Sequence, residues 1–247
     1  MNYGLHYSSF NDNDKHFSRI TDADEKYPLQ LYQYLIEDIL HSKIHINSVL
    51  EVGCGRGGGS AYLAQKLNKA KVFGIDISSK AIWYCRKKYS ENNLSFSEGD
   101  AESIAYPNNS FDLVINVESS HCYPSFNKFL SEAKRVLTPG GTLLLADFRS
   151  KHQINSFKSD LISSGLQIDK LEDITELVLL SLKNDSKRKE NIIEKAKIPA
   201  FFKSSLKQFA GCIGSGIYND FQNRKRIYYY LKLKNDNFVT HQKQTVT

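Results

Sequence analysis

Residues 50–60, LEVGCGRGGGS, place five glycines in eleven residues, after an apolar run and ahead of a helical pattern. That arrangement constrains the chain to a strand, a tight loop and a helix. A side chain in the loop would block both the turn and the approach of a ligand to the backbone. Gly53, Gly55 and Gly58 satisfy G-x-G-x-x-G, and Gly53, Gly55 and Gly57 satisfy G-x-G-x-G. Either pattern fits a dinucleotide as well as a sulfonium nucleoside.

The same alternation of apolar runs and helical patterns continues through the middle of the chain, the mark of βαβ units on a parallel sheet. Strands are expected over 48–52, 71–76, 94–98, 111–117 and 141–148, with helices over 60–67, 79–89 and 125–137. The turn Thr138-Pro139-Gly140-Gly141 should stop the last of these helices. Pro28 opens an N-terminal helix in which Leu29, Tyr32, Ile36, Ile39 and Leu40 share a face. Beyond 148 the pattern predicts a helix over 153–163, a strand over 166–171, mostly helix to 202, and a last strand over 226–234. Ile227, Tyr229, Leu231 and Leu233 line one face of that strand. The expected organisation is a helical cap over 1–45, a ligand-binding core over 46–150, a C-terminal part with a helical insertion over 151–235, and a disordered tail over 236–247.

An apolar fraction of 40% in 247 residues is enough for a core. The four cysteines form no C-x-x-C, so no metal site or disulfide framework is suggested. No run approaches the length of a membrane span, and the N-terminus lacks a secretory pattern, so a cytoplasmic protein is expected. Net charge is +6, but residues 151–247 alone carry 17 basic against 10 acidic groups. A basic end suits nucleic acid or an anionic membrane. These lysines are scattered, which favours a solvated surface; no nucleic-acid partner is expected, and a weak membrane-surface contact stays open.

Three acids stand where strands end: Glu51 before the first glycine, Asp76 after the second strand, and Asp100 in GDAES. From Asp76 a carboxylate can accept both hydroxyls of a ribose. The α-ammonium and adenine amino group of a sulfonium donor are hydrogen-bond donors that acidic acceptors suit, whereas a pyrophosphate prefers exposed amides.

The order of motifs resembles the class I S-adenosylmethionine-dependent methyltransferases. EVGCGRGGG, GIDIS, GDAESI, FDLVINVE and LTPGGTLLLADF look like their five motifs in sequence. The resemblance implies a Rossmann-like, doubly wound α/β fold, with a seven-stranded, mostly parallel sheet, an antiparallel last strand and a helical substrate cap. It implies S-adenosyl-L-methionine as cofactor, with Gly53, Cys54 and Gly55 against it and Glu51 organising its amino-acid end. Asp76 with Ile77 would hold the ribose, Asp100, Ala101 and Glu102 the adenine, and Asn116 and Val117 the methionine moiety. CGRGGGSAYL, NVESSHCYPSF, IPAFFKSSLKQFAG and GIYND extend the resemblance to the phthiotriolone/phenolphthiotriolone dimycocerosate O-methyltransferases and their small-molecule relatives. It covers about residues 31–234; the first 20 or so residues diverge.

His121 follows the fourth strand in ESSHCYP, at the sheet end where open α/β folds bind ligands. Methyl transfer needs a nucleophile attacking opposite sulfur, and a hydroxyl is poor at this until a base takes its proton. His121 is the expected base. Asp147, ending the neighbouring strand, would hold the imidazole, as in related sugar and natural-product O-methyltransferases. Glu118 is a rival base, a cofactor contact or a solvated loop acid. The aromatics over 198–221 with Tyr27, Tyr32 and Tyr34 suit an apolar or aromatic small-molecule acceptor, and equally the core of the cap. The expected activity is O-methylation of a hydroxyl or carboxyl on a lipid-like, phenolic or polyketide-type molecule. N- or C-methylation, an NAD-dependent oxidoreductase and a non-enzymatic binding module are the competing readings.

Overall fold

The apolar runs become strands β1 (Ser48–Val52), β2 (Lys71–Asp76), β3 (Leu94–Glu98), β4 (Phe111–Val117), β5 (Leu137–Ser150), β6 (Gln167–Asp173) and β7 (Arg226–Lys234). The computed structural model describes residues 2–8, 26–42 and 44–236, so the expected tail lies outside the described residues beyond Asp236. Helices among the described residues are α1 (Lys26–His41), α2 (Gly58–Lys66), α3 (Ser79–Lys88), α4 (Phe126–Val136), α5 (Ile154–Ser163), α6 (Thr175–Lys195), α7 (Ala200–Phe209) and α8 (Gly216–Gln222). The strands form one sheet in the order β3-β2-β1-β4-β5-β7-β6. β1 to β5 pair in parallel, and β7 runs antiparallel to both β5 and β6. This is the doubly wound sheet with an antiparallel last strand that the sequence predicts.

Local chemistry sets the element ends. Ser78, Ser125 and Ser215 accept the amides of Ala81, Lys128 and Tyr218 and so cap α3, α4 and α8. α4 stops at Val136, before Pro139. The Thr138–Gly141 turn is not outside the sheet, however: β5 begins at Leu137, and its register against β4 slips between Phe111↔Leu137 and Leu113↔Thr142. Asn235 holds that irregularity, its amide donating to the Leu137 carbonyl at 3.0 Å. Pro199 splits the long C-terminal helical stretch into α6 and α7, because it cannot continue a helix. Helix α8 was not anticipated; its seven residues are too short to show a period.

Both faces of the sheet are covered. Leu29, Leu35 and Ile36 of α1, Tyr62 and Leu63 of α2, and Val178 and Leu182 of α6 pack on one face. Phe129 and Leu130 of α4 and Phe157 and Leu161 of α5 pack on the other. β7 serves both, with Tyr228 and Tyr230 toward the first core and Ile227, Tyr229, Leu231 and Leu233 toward the second. The edge strand β6 is mostly exposed and carries Asp169, Lys170 and Glu172, which discourage pairing with another chain. Leu231→Ala, at a fully buried site, should cost about 2–5 kcal/mol in urea unfolding. Leu171→Ala on the exposed edge should cost less than about 1 kcal/mol.

Candidate active site

From β1 the chain winds one way to β2 and β3, and from β4 the other way to β5. The loops after β1 and β4 therefore part at the carboxyl ends of the strands, and a cleft of about 730 Å³ opens between them. Its walls include Gly53, Cys54 and Gly55 of the glycine loop, Asp76 and Ile77 at the end of β2, and Asp100, Ala101 and Glu102 after β3. Val117, Glu118 and Ser119 close it from the β4 side, and Arg188, Lys189 and Ile192 of α6 lie above.

The loop glycines do different jobs. Gly53 has φ 75°, and a Cβ there would come within 2.6 Å of the Ser119 Cβ, so its bareness lets the loops after β1 and β4 meet. Gly55, at φ 53°, has nothing within 4 Å of that position; its face is open to the cleft. The Gly55 amide donates to Asp76 Oδ2 at 2.8 Å, and the Ser78 amide donates to Oδ1 at 2.9 Å. Asp100 is exposed, with Oδ1 accepting the Glu102 amide at 2.8 Å. Glu102 accepts the Ser125 amide at 2.6 Å, which ties this wall to the start of α4.

Two expected residues stand behind the wall. Glu51 is 1% exposed and accepts the hydroxyls of Tyr32 and Ser60, joining α1 to α2. Burial pushes its carboxyl up to about 7, against the opposing pull of those two hydrogen bonds. Asn116 is fully buried and its amide donates to the Val52 carbonyl at 3.0 Å, Ser119 Oγ at 2.8 Å and the Tyr123 hydroxyl at 2.9 Å. Its Oδ1 is buried with no partner among the described residues.

His121 and Asp147 come together. Nδ1 of His121 lies 2.8 Å from Asp147 Oδ1, and since a carboxylate oxygen only accepts, the proton in that bond sits on Nδ1. Asp147 is wholly buried and also accepts the His121 amide at 2.8 Å and Ser120 Oγ at 2.6 Å. Arg149 Nη1 lies 3.3 Å from Asp147 Oδ2, its guanidinium held between the rings of Phe126 and Phe157. Burial alone would raise the Asp147 carboxyl; His121, Arg149 and Ser120 outweigh it and hold it below the usual range. The imidazole rests on Phe148, ring centres 4.2 Å apart; His121 and Asp147 are not among the residues that line the cleft, whereas Ser119 and Cys122 on either side of the imidazole's turn are.

Glu118 is not a solvated loop acid. It lines the cleft at φ 44°, and its Oε1 accepts the Tyr3 amide at 2.7 Å and the Tyr228 hydroxyl at 2.8 Å. Burial raises its carboxyl to about 7. Tyr32 and Tyr123 line the cleft, whereas Tyr3, from a segment without a motif, reaches Glu118 from outside its lining. Lys189 is 4% exposed, its Nζ donating to the Ala210 carbonyl at 3.2 Å.

The wall suits a sulfonium nucleoside. It combines a bare loop face at Gly55, two strand-end carboxylates that can each accept further hydrogen bonds, and an apolar Ile77 left 80% exposed. A nucleoside-binding α/β protein is thereby defined, and comparison with known proteins narrows it. Residues 50–145 match the family described as Methyltransferase domain. Over 167 residues the chain is 38% identical to the phthiotriol/phenolphthiotriol dimycocerosates methyltransferase of Mycobacterium leprae, covering 68% of this chain and 62% of that protein. It is 34% identical over 192 residues to the fatty-acid O-methyltransferase of Mycolicibacterium smegmatis, covering 77% and 69%. A geranyl diphosphate C-methyltransferase from Streptomyces coelicolor A3(2), solved with Mg2+, geranyl diphosphate and S-adenosyl-L-homocysteine, shares the fold at a TM-score of 0.67 and 13% identity. That match covers 95% of this chain and 89% of the other. The chain belongs to the S-adenosylmethionine-dependent methyltransferases, whose cofactor is S-adenosylmethionine. It spans 62% of the length of the dimycocerosates relative.

Glu51 and Glu118 both bind a proton more tightly folded than unfolded, so stability should fall as pH rises from the ordinary value of 4.5 toward about 7, then level off. Thermal melting across pH 5 to 8 should show that decline, on the order of 2–3 kcal/mol per group, and Glu51→Gln should roughly halve it.

Proposed function

We propose that the chain is an O-methyltransferase acting on a hydroxyl or carboxyl of a lipid-like, phenolic or polyketide-type small molecule. The observation that carries this reading is the His121–Asp147 pair, with Nδ1 anchored at 2.8 Å and the next residue, Cys122, in the cleft wall. Relatives named for dimycocerosates and for fatty-acid O-methylation support a lipid-like acceptor. Helix α1 and the helical insertion within 151–235, α6 to α8, are read as its cap.

S-adenosylmethionine, when bound, supplies an electrophilic methyl group. Gly55 and Cys54 would carry it on the loop, Asp76 and Ile77 would hold the ribose, and Asp100, Ala101 and Glu102 the base. Val117 and the amide of Asn116 would back the amino-acid end from the β4 side, while Glu51 acts through Tyr32. The acceptor hydroxyl gives its proton to Nε2 of His121 as its oxygen becomes the nucleophile. Asp147 fixes the ring and offsets the positive charge that develops on it. A carboxyl acceptor is already ionised near neutral pH and needs positioning more than a base.

His121→Ala should lower kcat on a hydroxyl acceptor about 10²- to 10⁴-fold, with calorimetric affinity for S-adenosylhomocysteine unchanged. Unaltered turnover would remove the base assignment. Glu118 is the second candidate, because it lines the cleft and its Oε2 has no hydrogen-bond partner among the described residues. Glu118→Gln should leave kcat within about tenfold if His121 is the base. A larger loss there, with His121→Ala active, would transfer the role.

A further inference from the structure

Helix α7, AFFKSSLKQF, is turned inside out. None of its residues is buried; Phe201 and Phe209 are each 69% exposed, Phe202 51% and Leu206 40%. At the helical repeat these four cover about 140° of one face, with Lys203 and Lys207 opposite. The lysines are the residues that point inward. Lys203 Nζ donates to the Glu194 carbonyl at 2.6 Å and pairs with its Oε2 at 3.3 Å, and Lys207 pairs with Oε1 at 2.7 Å. Glu194 thus pins the polar face to α6 and leaves the rings outward. Phe201 and Phe202 lie against each other, ring centres 4.1 Å apart.

Water gains nothing from such a face, and a contiguous apolar patch of this kind marks a place where something docks. The charge around it says what. Residues 183–209 hold eight basic and three acidic side chains, and Lys183, Lys187, Lys195 and Lys197 are exposed. A second copy of the same face would bring like charges together, whereas an anionic lipid surface complements it. The patch also leads to the cleft: Ile192, two residues before Glu194, is 51% exposed and lines the cleft with Arg188 and Lys189.

We infer that α7 and its lysine-rich flank dock on the surface of an anionic bilayer, with Phe201, Phe202 and Phe209 entering the boundary between headgroups and acyl chains. Contact is peripheral, since no helix among the described residues is long and apolar enough to cross a membrane. The inference does not depend on the reaction catalysed.

The test is flotation of the full chain with extruded vesicles of phosphatidylcholine alone or with about one quarter phosphatidylglycerol. The chain should float with the anionic vesicles, and less with neutral ones or at high salt. The double variant Phe201→Ser, Phe209→Ser should bind about tenfold more weakly or worse while keeping its melting temperature. The idea is overturned if the unaltered chain stays unbound, if the double variant floats equally well, or if light scattering finds a dimer that the same two substitutions split.

Discussion

A carboxylate with no exposure at all sits near the carboxyl end of β5, and the geometry of the turn after β4 answers to it. An ion taken out of water must be compensated on every side. Asp147 is met by an imidazole, a hydroxyl, a backbone amide and a guanidinium. Meeting that demand fixes the turn of residues 120–122 after β4, the tautomer of His121, and the placement of Arg149 between two rings. The contacts that orient the imidazole and those that neutralise the buried charge are thus the same set. Arg149 makes the arrangement tolerable, because a lone buried anion would otherwise favour its neutral form and release the imidazole.

The other organising contact is the Asn116 amide. It gathers the end of β1 and the loop after β4 at the point where the sheet changes direction, and Gly53 lets the two loops touch. The cleft is therefore held open by a short polar strut with bare backbone beside it. Glu51, often the first acid one would aim at a ligand, is buried behind the wall and accepts the hydroxyl of Tyr32, which does line the cleft.

Much of this was legible in the sequence, for reasons that can be named. The four strands from Ser48 to Val117 matched in extent because apolar β-branched runs bounded by turn residues leave little freedom. The two-sided burial of β7 could be half read, since Tyr228 and Tyr230 look amphipathic and give no period-two contrast with their neighbours. The partnership of His121 and Asp147 followed from both lying at carboxyl ends of adjacent strands. What escaped were features made by distant segments meeting. Glu118 looked like a loop acid until Tyr3 and Tyr228 arrived to bury it. The bulge at Thr138–Gly141 looked like a terminator because proline and glycine say the same thing to either structure. The outward rings of α7 were indistinguishable from core aromatics without the ion pairs that turn the helix.

The segment of residues 2–7, which belongs to no helix or strand, gives the molecule a crossbrace. Tyr3 takes Glu118 with its amide and Ser181 of α6 with its carbonyl, and its ring touches Phe148, the shelf beneath the imidazole. One peptide segment is thus shared by the cleft wall, the overlying helix and the ring beneath His121. A single residue joins the loop after β4, α6 and the ring under the imidazole, so strain at any one of these places is passed to the other two.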